Sequence, residues 1–251
     1  MRLSVLQTPS PAGDINAACA ALTTALQAAS AAGADLLVAP EVFLPGYNHP
    51  RIAELALGEG SAPLTRLSEA ARSAGTALVF GYAEAAGGKV WNAALCLGPD
   101  GGVLAHYRKI QPYGPREKAI FTAGDAYVTF DLAGRKLALL ICYDIEFAPH
   151  VAALAGQGVE AILVPTANMM PFTHVVRHTV PAMAANHGLA IAYANYCGSE
   201  GDLTYAGGSL IAGPHGEVLA QAGEHPALLV ADVPAVDPAR VSTQITDFRK
   251  V

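Results

Sequence analysis

The sequence predicts an α/β fold in four layers, an αββα sandwich of helix, sheet, sheet and helix. Two observations predict it. Strand-like aliphatic runs alternate with helix-period segments in both halves of the chain, so helices must cover the outer faces of the sheets. A segment also recurs: Gly98-Pro99-Asp100-Gly101-Gly102-Val103-Leu104-Ala105 returns as Gly213-Pro214-His215-Gly216-Glu217-Val218-Leu219-Ala220. Each copy leaves one strand and starts another, which places a similar hairpin, and so a similar sheet, in each half. Pro-x-Gly turns are common by themselves, so the echo counts only together with the alternation. No linker-like stretch interrupts the chain. Residues 1–251 are therefore expected as one domain, with a polar tail from about residue 237.

The elements follow in order. Residues 2–7 alternate as a first strand. Asp14 is placed to cap a long alanine-rich helix whose Ile15, Cys19, Leu22 and Leu26 share a face, with Gly33 ending it. Asp35 to Ala39 is a short buried strand that delivers Pro40-Glu41, and residues 42–47 form a loop. A helix over 64–74 precedes a strand over 76–82. Strands over 90–97 and 103–107 flank the first Pro-x-Gly turn, and the chain leaves the second of them as Arg108-Lys109. Residues 110–125 read as an irregular loop, and a loop that long is usually functional. A hairpin over 127–131 and 136–141 turns at Ala133-Gly134. The aliphatic run Leu137 to Ile141 reads as a strand buried on both faces. It stops at Cys142, and a helix over 150–155 follows, opened by Pro149. Residues 161–165 form another buried strand ending in Thr166-Ala167-Asn168. A helix over 175–187 and strands over 189–195, 209–212, 218–221 and 227–233 complete the pattern.

Composition narrows the function. The net charge is −6, so the chain carries no basic footprint for nucleic acid. No apolar run approaches about 18 residues, so no membrane span is expected. The N-terminus lacks the apolar core of a signal peptide. The four cysteines are far apart and form no C-x-x-C, which argues against a disulfide framework and a zinc site and for a reducing, cytoplasmic setting. Charged residues are only 14% of the chain, against about 25% in typical domains. That scarcity is expected of a chain that buries surface in several layers or against another subunit.

Polar groups at strand ends carry the chemistry. Glu41, Cys142 and Asn168 each follow a buried strand, and Lys109 follows a fourth strand. In sheets covered by helices, sites gather beyond strand ends. A thiol at such an end sits near backbone N–H groups with no other acceptor. A carboxylate can take its proton, and an ammonium can offset the charge that develops on attack. Singly, each residue has an ordinary alternative: a core cysteine, a loop glutamate, a solvated lysine. His174 and His178 share a helix face but have no evident third partner, so no metal site is assigned.

Three motifs together resemble the signatures of the nitrilase superfamily of carbon–nitrogen hydrolases. They are Ala39-Pro40-Glu41-Val42-Phe43-Leu44-Pro45-Gly46-Tyr47, Tyr107-Arg108-Lys109, and Leu140-Ile141-Cys142-Tyr143-Asp144-Ile145-Glu146-Phe147. Their order and spacing match, and Val164 to Met169, Tyr193 to Gly198 and Gly213-Pro214 match as well. The resemblance is nearest to amidases of small aliphatic or amino-acid amides, such as 5-aminopentanamidase and the stereoselective amidases. It implies a Glu41–Lys109–Cys142 triad and the four-layer sandwich. It implies an auxiliary Glu117, in the loop after the lysine, and no metal or organic cofactor. It also implies a homodimer or higher oligomer in which sandwiches pack helix to helix. Two motifs depart from the family pattern: Phe147-Ala148-Pro149-His150 replaces Phe-Pro-Glu, and Met183 and Asn186 stand where an arginine and a glutamate are usual.

The expected activity is thus hydrolysis of a small carboxamide through a thioester on Cys142. Glu41 acts as base, and the oxyanion lies between Lys109 and the backbone N–H of Tyr143. Phe43, Tyr47, Tyr113, Glu146 and Asn168 are expected to line the substrate pocket, with Asp144 among the acidic residues near it. The alternatives on the same triad are an N-carbamoyl amine hydrolase and a nitrilase. A catalytically silent binding or assembly module is the alternative of another class.

Overall fold

A computed structural model describes residues 1–243, 247 and 249 of the chain. Two six-stranded sheets face each other. The strands are β1 (Arg2–Gln7), β2 (Leu36–Val38), β3 (Ala77–Ala86), β4 (Lys89–Leu97), β5 (Val103–Arg108), β6 (Thr129–Leu132), β7 (Arg135–Leu139), β8 (Ala161–Pro165), β9 (Ala190–Ala194), β10 (Ser199–Glu200), β11 (Leu203–Thr204), β12 (Leu210–Ala212), β13 (Val218–Gln221) and β14 (Ala227–Asp232). The first sheet runs β14–β1–β2–β3–β4–β5 and the second β13–β12–β9–β8–β7–β6, while β10 and β11 form a separate small hairpin. Both large sheets have the same plan. Three parallel strands form the centre, β1–β2–β3 in one and β7–β8–β9 in the other. Antiparallel strands extend each centre to both edges.

The repeated Pro-x-Gly segment explains part of this likeness. In the first copy Gly98 N–H donates to the Gly102 carbonyl at 2.7 Å, and in the second Gly213 N–H donates to the Glu217 carbonyl at 2.8 Å. One turn joins β4 to β5 and the other joins β12 to β13. In each hairpin the register shifts by a bulge beside the turn.

Helices α1 (Ile15–Ala31) and α2 (Ala62–Ala74) cover the first sheet, and α4 (Ala148–Ala155) and α5 (Val180–His187) pack with the second. Asp14 caps α1, its Oδ1 accepting from Ala17 N–H at 2.9 Å. The alternation along β2 shows how the layers share side chains. Leu36 and Val38 join the core between the sheets, and Leu37 joins Leu22, Leu26 and Leu67 under the helices. Burying each such leucine stabilises the fold by roughly 1.5–3 kcal/mol.

The structure differs from the sequence expectation in three places, the first being the β10–β11 hairpin, which the sequence did not mark. The stretch over 110–125 is not wholly irregular, because α3 (Gly114–Ile120) lies within it, with Pro115 in its first turn. The helix over 175–187 begins as a wider turn over Val175–Thr179, in which Val180 N–H donates to the Val175 carbonyl. Pro181 lacks the N–H that a regular turn would use, so the ladder there widens. Of the departures from the family pattern, Met183 packs against the main core. The expected polar tail includes a short turn over Pro238–Arg240. Residues 244–246, 248, 250 and 251 of it lie outside the described residues. Among the described residues no helix is long and apolar enough to cross a membrane.

Candidate active site

The parallel strands β2, β7 and β8 all point their C-terminal ends at one region between the sheets, and β5 ends beside it. Glu41 follows β2, Lys109 follows β5, Cys142 follows β7, and Thr166 to Asn168 follow β8. This is where sequence placed the strand-end groups.

Two of these residues sit beside or in strained backbone. Cys142 has φ +46°, and Val42, next to Glu41, has φ +43°. Left-handed backbone is rare for side chains like these and costs of order 1–3 kcal/mol each. At Cys142 it makes a sharp turn from strand into a 3-10 helix over Cys142–Glu146. The first bond of that turn is Asp144 N–H to the Ile141 carbonyl, 3.0 Å. The Tyr143 N–H therefore precedes the bonded donors. At Glu41 a close approach fixes the backbone: a Cβ on Gly81 would lie 2.6 Å from Glu41 Cα, so only glycine fits there.

A buried ion network joins two groups delivered by the first sheet to Glu117 of α3. Lys109 Nζ lies 2.7 Å from Glu41 Oε1 and 2.8 Å from Glu117 Oε1. Asn92 Nδ2, on β4, donates to Glu41 Oε1 at 2.7 Å. Glu117 accepts from both Lys109 and the Tyr47 hydroxyl (2.6 Å), and from the Tyr113 backbone N–H (2.9 Å). Tyr196 donates to the Glu41 backbone carbonyl at 2.8 Å. The loop helix α3 thus exists to bring Glu117 under Lys109. Glu41 Oε2 is buried and takes no hydrogen bond from the described residues.

The electrostatics follow from burial. Removal from water pushes the Glu41 carboxyl up to about 7; Lys109 opposes that shift and Glu117 adds to it. Burial works against the charge on Lys109, but Glu117 and Glu41 outweigh it and hold the ammonium well above its ordinary value. Burial, then the nearby Glu41 charge, push the Cys142 thiol well up, while Lys109, Thr166 and the Ala167 backbone pull the other way. The balance keeps the proton on the resting sulfur. Its proton must move as the sulfur attacks.

A cavity of about 240 Å³ opens on Cys142 and is lined also by Tyr47, Tyr113, Tyr143, Glu146, Asn168 and Phe172. Met169 and His174 complete its wall. Of the expected pocket residues, Tyr47, Tyr113, Glu146 and Asn168 are there. Phe43 is not: it is buried in the core and stacks on Tyr196, with ring centroids 5.9 Å apart. The left-handed turn at Val42 redirects the chain after Glu41, so Phe43 faces inward. Asp144, expected near the pocket, does not line it. It accepts from Tyr107 (2.7 Å), Gln111 N–H (2.8 Å) and Ile141 N–H (3.0 Å), bracing the cysteine turn against the strand that delivers Lys109. Asn168 also holds its loop in place, donating to the Phe172 carbonyl at 3.0 Å.

Sequence reasoning missed Asn92 and Tyr196, which hold Glu41, and Thr166, which contacts the thiol. Among the described residues no group of three or more His, Cys, Asp or Glu side chains gathers as a metal site.

Three comparisons bear on this site. A family model described as "Carbon-nitrogen hydrolase" matches residues 2–241. A hydrolase of Pseudomonas protegens is 42% identical over 207 residues, covering 81% of this chain and 73% of the relative. An (R)-stereoselective amidase of a Pseudomonas species is 36% identical, covering 78% of this chain and 72% of that protein. Among solved structures, the amidase of Nesterenkonia sp. superposes with a TM-score of 0.87 at 38% identity, covering 93% of this chain and 90% of that one. A variant of that amidase carries acrylamide added covalently to its active-site cysteine.

Proposed function

We propose that this chain, which belongs to the carbon–nitrogen hydrolase family, is an amidase that converts a small aliphatic or amino-acid carboxamide to carboxylate and ammonia. The observation that carries the mechanism is the division of labour at Glu41. Oε1 is occupied by Lys109 and Asn92, Oε2 is left without a partner among the described residues, and the Glu41 charge is felt by the Cys142 thiol.

The steps follow from that arrangement. The Cys142 proton passes to Glu41 as the sulfur attacks the amide carbon. Negative charge develops on the carbonyl oxygen, between the Lys109 ammonium and the Tyr143 N–H. The tetrahedral adduct collapses, its C–N bond breaks, and Glu41 returns the proton to the departing ammonia. A thioester remains. Water then gives a proton to Glu41 and attacks the thioester carbon, and the acid leaves as the thiol is restored. Glu41 and Lys109 come from the first sheet and Cys142 from the second, so both sheets make one catalytic domain in this reading. A cytoplasmic homodimer fits the free cysteines and the low charge content, and light scattering on the purified protein tests the dimer.

Ammonia release tests the reaction class. Small amides, nitriles and N-carbamoyl amino acids are compared at one pH. Amides are expected to give the highest kcat/KM. Higher kcat/KM on carbamoyl substrates, with carbon dioxide released beside ammonia, overturns the reading in favour of a carbamoyl hydrolase. Turnover of nitriles alone overturns it in favour of a nitrilase.

In this reading Glu117 is a positioning residue for Lys109. Glu117→Gln keeps the shape but replaces an acceptor with an amide NH₂ facing donors that already need acceptors. The expected result is a kcat loss of about 10²-fold or more with about 1–3 kcal/mol of lost stability. Wild-type kinetics in the variant would make Glu117 a structural charge only.

A further inference from the structure

Most carboxylates near the catalytic centre are already engaged. Glu41 and Glu117 share Lys109, and Asp144 accepts from Tyr107 and two backbone N–H groups. Glu146 differs. It is half-buried, lines the same cavity as Cys142, and closes no ion pair with any cation among the described residues. Burial pushes its carboxyl up, and the His174 and Lys109 charges pull it back. Around it stand aromatic rings. Tyr113 meets Tyr143 edge-on at 5.2 Å and Phe172 at 6.2 Å, and Tyr47 lines the same space.

A carboxylate with spare acceptor capacity among aromatic rings is the chemistry that recognises an organic ammonium. The carboxylate supplies charge-assisted hydrogen bonds, and the ring faces add cation–π attraction. The same group repels a substrate carboxylate, which would face an unpaired like charge. The cavity volume of about 240 Å³ equals about eight water volumes, enough for a short acyl chain with one terminal group.

We propose that Glu146 is a specificity-determining residue that binds an ammonium group on the acyl chain of the substrate amide. This deepens the amidase reading and rests on it. The acyl chain then enters with its amide carbon at Cys142 and its amino end at Glu146. Amino-bearing amides are favoured over neutral ones of equal length, and amides bearing a carboxylate are disfavoured.

The test uses the purified full chain and three substrates side by side: γ-aminobutyramide, the nearly isosteric valeramide, and succinamate. In the wild type kcat/KM should fall in that order, with about tenfold or more separating the first two, as expected for a charge-assisted contact. Glu146→Gln should erase the preference for γ-aminobutyramide over valeramide, chiefly through KM, and Glu146→Asp should retain part of it. A wild type that hydrolyses valeramide without preferring γ-aminobutyramide overturns the proposal, whether or not either variant folds. A preference that survives Glu146→Gln overturns it as well. A wild type that hydrolyses none of the three overturns this proposal, and the amidase reading falls with it only if the wider panel of small amides also releases no ammonia.

Discussion

Cys142→Ala is expected to abolish amide hydrolysis, with a kcat loss on the order of 10⁴-fold or more, while leaving the fold in place. The size follows from the mechanism. Without the sulfur no thioester forms, and what remains is whatever Lys109 and the Tyr143 N–H can do for direct attack by water. The fold should survive because the change removes one atom at a partly exposed turn. The strained φ of +46° at this position is also borne by an alanine, which is found at φ +50° at Ala133 in the same chain. Cys142→Ser should be nearly as inactive. A hydroxyl is far harder to ionise than a thiol, and burial beside Glu41 already holds the thiol well up. The decisive measurement pairs steady-state ammonia release with mass spectrometry of the wild type during turnover of a slow amide. An acyl adduct on the peptide carrying Cys142 is expected in the wild type and in neither variant. Substantial turnover by Cys142→Ala would refute the thioester route.

The legible part of this molecule is what local chemistry dictates. Leu137 to Ile141 reads as buried because it is uniformly aliphatic, and its abrupt end at Cys142 reads as a turn because polar residues follow at once. Glu41 and Lys109 each read as ordinary charges alone, and only their joint place after strands marked them. What stayed illegible depends on pairing across the chain. Asn92 meets Glu41 from 51 residues away, and Tyr196 meets the Glu41 carbonyl from 155 residues away. No spacing rule connects such positions before the sheets are stacked. Helix α3 was hidden for a different reason. It spans only Gly114–Ile120, too short for a periodic face, and Glu117 serves Lys109 and the Tyr113 N–H instead of the solvent. Phe43 was misplaced because a loop aromatic next to a catalytic carboxylate looks like pocket lining, and the left-handed turn at Val42 sends it into the core.

Glu41→Gln should lower kcat by about 10³-fold, within the range for loss of a general acid–base group. The amide can still accept from Asn92 and Lys109 through its oxygen, so the geometry around the former Oε1 is kept and the loss reports proton transfer. What disappears is the acceptor at Oε2. The wild-type pH profile supplies an independent check, with its sign fixed by the direction of the shift. The Glu41 carboxyl is held up at about 7, so it is protonated, and useless as a base, below that value. The kcat/KM of the wild type should therefore rise with pH through about 7 and level off above it. Lys109, held well above its ordinary value by its two carboxylates, stays charged across that window and adds no descending limb there. In Glu41→Gln the ascending limb should vanish along with most of the activity, and alkylation of Cys142 by iodoacetamide should slow with it, because the base that takes the thiol proton is gone. A variant that retains the rise through pH 7 would place the titrating base elsewhere. One that is alkylated as fast as the wild type would mean that Cys142 sheds its proton without Glu41.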